Sequence, residues 1–461
     1  ASHTDAGGAY VAVDLLRAGD YTPYIYRTHD FGKTWTLITN GLPKNQPSGS
    51  VARVVRADPK RAGLLVAGTE SGMYVSFNDG DHWQSLQLNL PNTSYRDIAF
   101  RDNDLVVGTY GRGIFILDDY AVLRQMTPAV ADEAVHLFKP DPTVRVRRNV
   151  NADTPLPPEV PHALNPLDGV IIHYSLASRP SGDITIDVKD SAGRAVRHLS
   201  SAPIAPVPEA ARPPHPNFWV AVPAPLPAAA GTNRTNWDLR YDAPPAFTHS
   251  FAINANPGLT PASPEGGLVA PGTYTITLTV NGKSYTQTAT VVNDPRSPAS
   301  AADLRAQHAL VKKLHDGIKT AWDGYQQVAA MRTALNGALP SDSASDVAKT
   351  IRAVRAKLDS VGGTAGGGRG FGGRGGGPTP PPTFVAVHGR LVSQLGTQEN
   401  GDHAPTEAML AGYAQSCRDL TNAAARWQAI NTKELPALNS VLAKKGLKAQ
   451  TAAAGVPAPK C

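Results

Sequence analysis

The stretch THDFGKTW at residues 28–35 returns 48 residues later as SFNDGDHW at 76–83. A polar turn made twice, and closed each time by tryptophan, restricts this chain more than any other feature of its sequence. In the first copy Asp30 is placed to accept hydrogen bonds from backbone N–H groups two or three residues on. Gly32 supplies a positive φ at no steric cost, and Thr28 adds a hydroxyl at the strand end. Trp35 then offers a large apolar face whose indole N–H needs a partner once buried. Ser76, Asn78, Gly80 and Trp83 fill the same four roles in the second copy. Both tryptophans are therefore expected to be buried, at equivalent positions of successive units.

The turns sit inside a longer repeat. AYVAV (9–13) and YIYRT (24–28) precede the first, LLVAGTESGMYVSFNDGDHW runs from Leu64 through the second, and DLVVGTYGRGIFILDD follows from Asp104. The unit is strand, tight glycine turn, strand, polar turn, recurring every 40 to 48 residues. The S/T-x-D-x-G-x-x-W pattern resembles the Asp-box, or BNR repeat, of sialidase-like, sortilin-type and xyloglucanase-type β-propellers. The wider run over residues 1–127 is similar to the end of large secreted bacterial proteins labelled glycosyl hydrolase, sortilin N-terminal domain or photosystem II stability factor-like. The resemblance implies that the turn is a blade staple at the outer rim, away from the axis where ligands bind, so that its eight residues are structural. Propellers close with roughly four to eight blades, and this segment supplies at most three. The expected partners are thus missing N-terminal blades, from the same protein or another chain.

Residues 128–296 change texture. DGVIIHYSL (168–176), GDITIDVKDSAGRAVRHL (182–199), NRTNWDLRYD (233–242) and GTYTITLTVNGKSYTQTATVV (272–292) alternate apolar and polar residues, as half-buried antiparallel strands do, and Asn281-Gly282 marks a hairpin turn. The spacing predicts a β-sandwich interrupted by Pro/Ala-rich loops at 201–231 and 243–270. DITIDVKDSAGRAVR and PGTYTITLTVNGK resemble immunoglobulin-like modules of the flagellar hook-cap and secretion-linked type. From Ser297 the period becomes helical. Ser300 and Asp303 form a capping box, and three apolar stripes follow: Leu304 to Val328, Val347 to Leu358, and Tyr413 to Trp427. These predict a bundle of three or four helices over 297–461. The glycine-rich run 361–383 reads as a linker between the second and third, since two arginines and one phenylalanine are few for an RGG-type RNA-binding tail. The fold expected is multidomain and mainly β: partial BNR β-propeller blades, an Ig-like β-sandwich and a C-terminal α-helical bundle.

The chemistry expected is slight. Net charge is +6, but residues 1–297 hold 25 Lys/Arg against 27 Asp/Glu while 298–461 hold 19 against 11. That diffuse surplus reads as a solvated helical surface, so no nucleic-acid partner is expected. Two cysteines, Cys417 and Cys461, form no CxxC or Cys/His cluster, which removes zinc and thioredoxin-like chemistry. A disulfide between the two is allowed but not implied, and Cys417 falls on an apolar stripe and reads as a buried core thiol rather than a reactive one. No apolar run is long enough for a transmembrane helix. The chain opens ASHTDAGGAYVAVD without a signal-like segment, so any signal peptide is expected to be removed or to lie upstream. HExxH, GxSxG, Walker A and dinucleotide patterns do not occur, and the 13 histidines are scattered. No cofactor and no metal are expected.

Carboxylate pairs that could serve a sugar cleft are Asp102 with Asp104 and Asp118 with Asp119, though neighbours on a strand point to opposite faces. Arg53, Arg56, Arg96, Arg112 and Tyr110 are available for sialidase-type chemistry without matching its pattern, so no catalytic residue is assigned. The function expected is a secreted or periplasmic, cell-envelope binding or scaffold protein, non-catalytic, recognising a peptide or glycan. The alternative is a glycoside hydrolase, sialidase- or xyloglucanase-like, whose site lies mainly in blades outside this chain.

Overall fold

The computed structural model describes residues 1–44, 50–147, 157, 159–161, 163, 165–204, 217–251, 258–365, 381–457 and 459. Three small antiparallel sheets come first. Strands β1 (Ala9–Val13), β2 (Tyr24–Thr28) and β3 (Thr36–Leu37) form one. The second holds β4 (Ala52–Ala57), β5 (Leu65–Thr69), β6 (Met73–Ser76) and β7 (Gln84–Ser85), and the third β8 (Tyr95–Arg101), β9 (Asp104–Thr109) and β10 (Ile114–Leu117). Each sheet pairs its strands in chain order. Val11 lies opposite Tyr26, Ala67 opposite Tyr74 and Val107 opposite Phe115, so β1–β2–β3 match β5–β6–β7, and β9–β10 match β5–β6. The GT pairs acquire a reason in this register. Thr69 Oγ1 accepts the N–H groups of Ser71 and Gly72, and Thr109 Oγ1 that of Arg112, so each threonine hydroxyl ties the tight turn that follows it.

Strand alternation sends side chains to both faces of the middle sheet. Leu65, Ala67 and Trp83 join Ile25 and Ile38 of the first sheet in one buried cluster, while Val66, Met73 and Val75 join Ile98, Leu105 and Val107 of the third in another. The middle sheet is covered on both sides.

A one-turn helix, α1 (Pro128–Ala131), leads into two further sheets that share a core. Strands β11 (Val135–Leu137), β13 (Val170–Leu176) and β16 (Gly231–Trp237) make the smaller. The larger has the order β12 (Thr143–Arg145), β20 (Lys283–Asn293), β19 (Gly272–Val280), β14 (Thr185–Asp190), β15 (Ala195–Ser200), and β17 (Ser250–Phe251) pairs separately with β18 (Ala262–Ser263). Tyr174, Ile186, Trp237, Ile276 and Leu278 fill the space between the layers. One pairing departs from the antiparallel expectation: β12 runs parallel to β20, because it reaches the edge of that sheet from a long connection rather than a hairpin. Asn281 and Gly282 both take positive φ (48° and 79°) at the β19–β20 hairpin, the conformation that an Asn-Gly turn favours.

Helices α2 (Ala301–Gly337), α3 (Asp346–Gly362), α4 (Phe384–Gln398) and α5 (Glu407–Ala429) follow, and α5 runs through a π-helical turn (Ile430–Glu434) without a break into α6 (Leu435–Lys444), so the described residues form four helical rods, within the three or four expected, and the whole is mixed α/β. Ser300 and Asp303 close the capping box, and Ser345, Thr383 and Thr406 each cap a helix through the side-chain oxygen. All three stripes are inward: Leu314, Ile351 and Trp427 share one core. A Cβ at Gly324 would stand 2.5 Å from the Phe384 ring, so only glycine lets α4 approach α2 this closely. Cys417 is buried, as its position on the stripe suggests, and of the two states that the sequence left open it is disulfide-bonded. Cys461 lies outside the described residues, as do residues 366–380 of the glycine-rich run and parts of both Pro/Ala-rich loops.

Sheets and helices are fastened by a buried ionic seam. Arg145, 2% exposed, donates through Nη1 to Asp402 in the α4–α5 connection at 2.7 Å and through Nε to the Val269 carbonyl at 2.7 Å. Arg147 also reaches Asp402, and Arg240 reaches Glu399 at 3.3 Å. Burial opposes ionisation of Asp402, but hydrogen bonds from Arg147 and Arg145 outweigh it and hold the carboxyl below its ordinary value. A carboxyl so lowered stabilises the fold above its unfolded pKa and loses that contribution as pH falls through its folded one. Asp402→Ala, which leaves Arg145 buried and unpaired, is expected to cost about 3–5 kcal/mol. Urea unfolding at neutral pH measures it, and the gap to wild type should narrow below about pH 4 as the wild-type carboxyl protonates.

Candidate functional site

The two polar turns are built alike. Thr28 Oγ1 accepts the Gly32 N–H at 3.1 Å and donates to Asp30 Oδ1 at 2.8 Å, and Asp30 Oδ1 accepts the Thr34 N–H at 2.9 Å. In the second copy Ser76 Oγ accepts the Gly80 N–H at 2.9 Å, and Asn78 Oδ1 accepts from Ser76 Oγ and from the His82 N–H at 3.0 Å. The carboxylate thus reaches the Thr34 N–H four residues on, and the Lys33 backbone three residues on adds to that bond in lowering its pKa. Phe31 and Gly32 both have positive φ (61° and 82°), as do Asp79 and Gly80 (62° and 88°), and these paired left-handed residues carry the chain round before the bonded N–H appears. Hydrogen bonds from the Thr34 backbone and side chain lower the Asp30 carboxyl to about 2.

The tryptophans part company. Trp83 is 1% exposed and lies between the first and second sheets, where Nε1 donates to the Ile38 carbonyl at 2.7 Å and its backbone N–H to that of Asn40 at 2.8 Å. Gly41, at φ 93°, permits this, because a Cβ there would fall 2.1 Å from the Trp83 oxygen. Trp35 is 43% exposed and its Nε1 donates to Gly32 of its own turn at 3.2 Å. The expectation that both are buried fails for Trp35. Burial comes from the neighbouring sheet rather than from the turn, and among the described residues no sheet covers that side of β1–β3.

Beside Trp83, Asp79 reinforces the same junction. Arg27 of the first sheet donates to the Asp79 carbonyl at 2.6 Å and pairs with the carboxylates of Asp79 and Asp81 at 3.1 and 3.0 Å, while Tyr10 and His29 also bond Asp79. Asp5, bonded to Nδ1 of His29, and then Asp79 raise the imidazole pKa. The second junction uses different groups. Buried Asp58 accepts from Tyr120 Oη at 2.6 Å, Arg124 Nε at 3.0 Å and the N–H groups of Lys60 and Arg61 at 2.7 and 2.6 Å. Burial works against its charge, but these bonds prevail and lower its pKa. The sequence reading missed Asp58; its one local signal is the run of an Asp before Pro-Lys-Arg at a strand end.

The outer faces of this stack repeat the inner ones. On the first sheet Val11, Tyr26 and Leu37 lie in one cross-strand row, equivalent to Ala67, Tyr74 and Ser85 of the middle sheet; Val11 is exposed where Ala67 is buried, while Leu37 and Ser85 are both exposed. On the third, Ile114 and Ile116 are 72% and 58% exposed, whereas their counterparts Met73 and Val75 are 1% and 3% exposed.

The residues weighed for sugar chemistry are spread out. Arg53 pairs with both Asp14 and Glu70, and Arg96 stands 3.5 Å from Glu70 and over the Tyr110 ring at 5.1 Å, so these gather at the sheet ends opposite the polar turns. The Arg53 guanidinium is thereby already neutralised by two carboxylates. Arg56 pairs with Asp97, and the Arg112 backbone N–H serves the turn at Thr109. Asp119 faces His173 of β13 at 3.2 Å, the Asp118 carbonyl accepts from Arg234, and Asp104 accepts the Asp119 N–H. Burial raises the Asp118 carboxyl. Asp102 is an exposed turn residue with φ 53°. Asp118 and Asp119 thus lie on the seam between the third sheet and β13–β16. Among the described residues no cluster of three or more His, Cys, Asp or Glu could hold a metal, and no helix is long and apolar enough to cross a membrane.

No protein-family model matches the chain, and no curated protein matches it. Among solved structures, the crystal structure of an ancestral GH74 enzyme is similar at 20% identity over 24% of this chain and 13% of that one, with a TM-score of 0.20. This chain therefore covers about an eighth of that protein.

The junction geometry separates the two tryptophans in a measurable way. Trp83→Ala, which empties a buried site and orphans the Ile38 carbonyl, is expected to cost about 3–5 kcal/mol in chemical unfolding. Trp35→Ala should cost less than about 1 kcal/mol in dilute protein, since its ring is half in solvent already.

Proposed function

We propose that the three sheets are Asp-box blades forming one sector of a ring-type β-propeller, in a secreted or envelope-associated protein that binds a peptide or glycan rather than cleaving it. The observation that carries this reading is the pair of unfilled end faces, each the register copy of a face that the middle sheet buries. A stack of this design finds cover on both ends only within a larger set of sheets, and rings do this by closure. The two-layer sheet unit and the helices, held by the Arg145–Asp402 seam, then serve to position the ring in an assembly. Disulfide bonding at Cys417 suits an oxidising compartment. Arg53, Arg56 and Arg96 are engaged by Asp14, Glu70 and Asp97, and Asp119 by His173, which favours recognition over catalysis.

The test is a retention and turnover experiment with immobilised xyloglucan, sialylated glycans and a peptide library. Retention of one class without release of reducing sugar or sialic acid is the expected result. Release that depends on an acidic residue of the sheets would establish the glycoside hydrolase instead. Intact mass with and without reduction should also show a gain of two hydrogens, reporting the Cys417 disulfide.

A further inference from the structure

The two end faces of the stack are complementary to each other as well as incomplete. At the internal junction the second sheet presents Leu65, Ala67, Tyr74 and Trp83, and the first sheet receives them with Tyr10, Ile25 and Ile38. By register, the outward side of the first sheet (Ala9, Val11, Tyr26, Trp35) is a copy of the presenting face, and the outward side of the third (Val106, Ile114, Ile116) a copy of the receiving one. One position shows that the two have been matched. Arg27 grips Asp79 across the internal junction. The counterpart of Arg27 on the third sheet is Ile116, and the counterpart of Asp79 in the first turn is Phe31, which is 79% exposed. Where the internal junction pairs a cation with an anion, the end faces offer an apolar residue to an apolar residue. Either change alone would oppose a charge to a hydrocarbon; the two together restore a fit.

Resting on the reading of these sheets as blades, we infer that the end faces meet head to tail between two copies of this chain, Phe31 of each against Ile116 of the other. The three sheets of residues 9–117 are too few for a ring of roughly four to eight, whereas the same sheets from two copies bring six. The contact is heterologous, but it occurs twice about a two-fold axis and so closes into a dimer instead of growing. Val11, Tyr26 and Leu37 then lie against Ile114, and the exposed apolar surface at both ends is removed together. Exposed apolar side chains brought together in this way are the kind of surface that such association covers.

Sedimentation velocity of the whole chain over a wide concentration range tests this. Wild type should be a dimer. Phe31→Asp and Ile116→Arg should each weaken association at least about tenfold, the effect of losing one well-buried contact. The double variant Phe31→Asp/Ile116→Arg recreates the Arg27–Asp79 pairing and should recover the dimer. Near-ultraviolet circular dichroism and the melting transition verify that each variant folds; both sites are exposed, and the Trp83–Ile38 junction is untouched. A wild-type monomer at every concentration, a dimer indifferent to both single substitutions, or a double variant no better than either would overturn the inference. Open polymers would overturn the closed ring. A monomer that still retains a peptide or glycan would sink this inference alone, and a dimer of the expected kind that retains neither would sink the binding reading alone.

Discussion

A small antiparallel sheet with apolar residues on both faces must be covered on both, and the first 117 residues are organised by that requirement. Three or four short strands cannot curl round a core of their own, so each sheet finds its core in its neighbour. The middle sheet satisfies the condition on either side, through Leu65 and Trp83 against the first sheet and through Val66 and Val75 against the third. Everything distinctive in the segment serves these contacts: the polar turn delivers Trp83, Gly41 makes room for its backbone, and Asp79 draws in Arg27.

The junctions share a plan while differing in chemistry. The first is an indole over an aliphatic patch with an ion pair at its rim, and the second a fully buried carboxylate, Asp58, surrounded by Tyr120, Arg124 and backbone donors. Buried carboxylates are tolerated when every lone pair is engaged, and they fix geometry because few arrangements engage them all. The seam from Arg145 and Arg147 to Asp402 applies the same device between the two-layer sheets and the helices. The first sheet's turn, with Trp35 and Phe31 exposed, is thus the same part in a different setting.

Much of this was legible from local pattern. The residues of both polar turns, the GT pairs, the alternation of the strands, the Asn281-Gly282 hairpin and the capped helix at Ser300 depend on neighbours within a few positions, and those are visible in a sequence. What escaped depends on distance along the chain. Trp35 and Trp83 sit in the same local motif and differ only in whether a sheet lies over them. Asp58 and Tyr120 are 62 residues apart and Arg145 and Asp402 are 257 apart, so nothing near either member announces the other. The parallel pairing of β12 with β20 escaped similarly, since strand periodicity is silent about direction. The carboxylates and arginines that suggested sugar chemistry have partners far along the chain, Arg53 with Asp14 and Glu70, Arg56 with Asp97, and Asp119 with His173.

The claim that face coverage governs these sheets is tested most directly by amide hydrogen exchange, followed peptide by peptide, on the chain at low and at high concentration. In dilute protein β5 and β6 should exchange most slowly, and β2 and β10, each with one bare face, much faster. Raising the concentration should slow β2 and β10 selectively while leaving β5 and β6 unchanged. Equal protection of all three sheets in dilute protein, or protection of β2 and β10 that does not respond to concentration, would contradict the account.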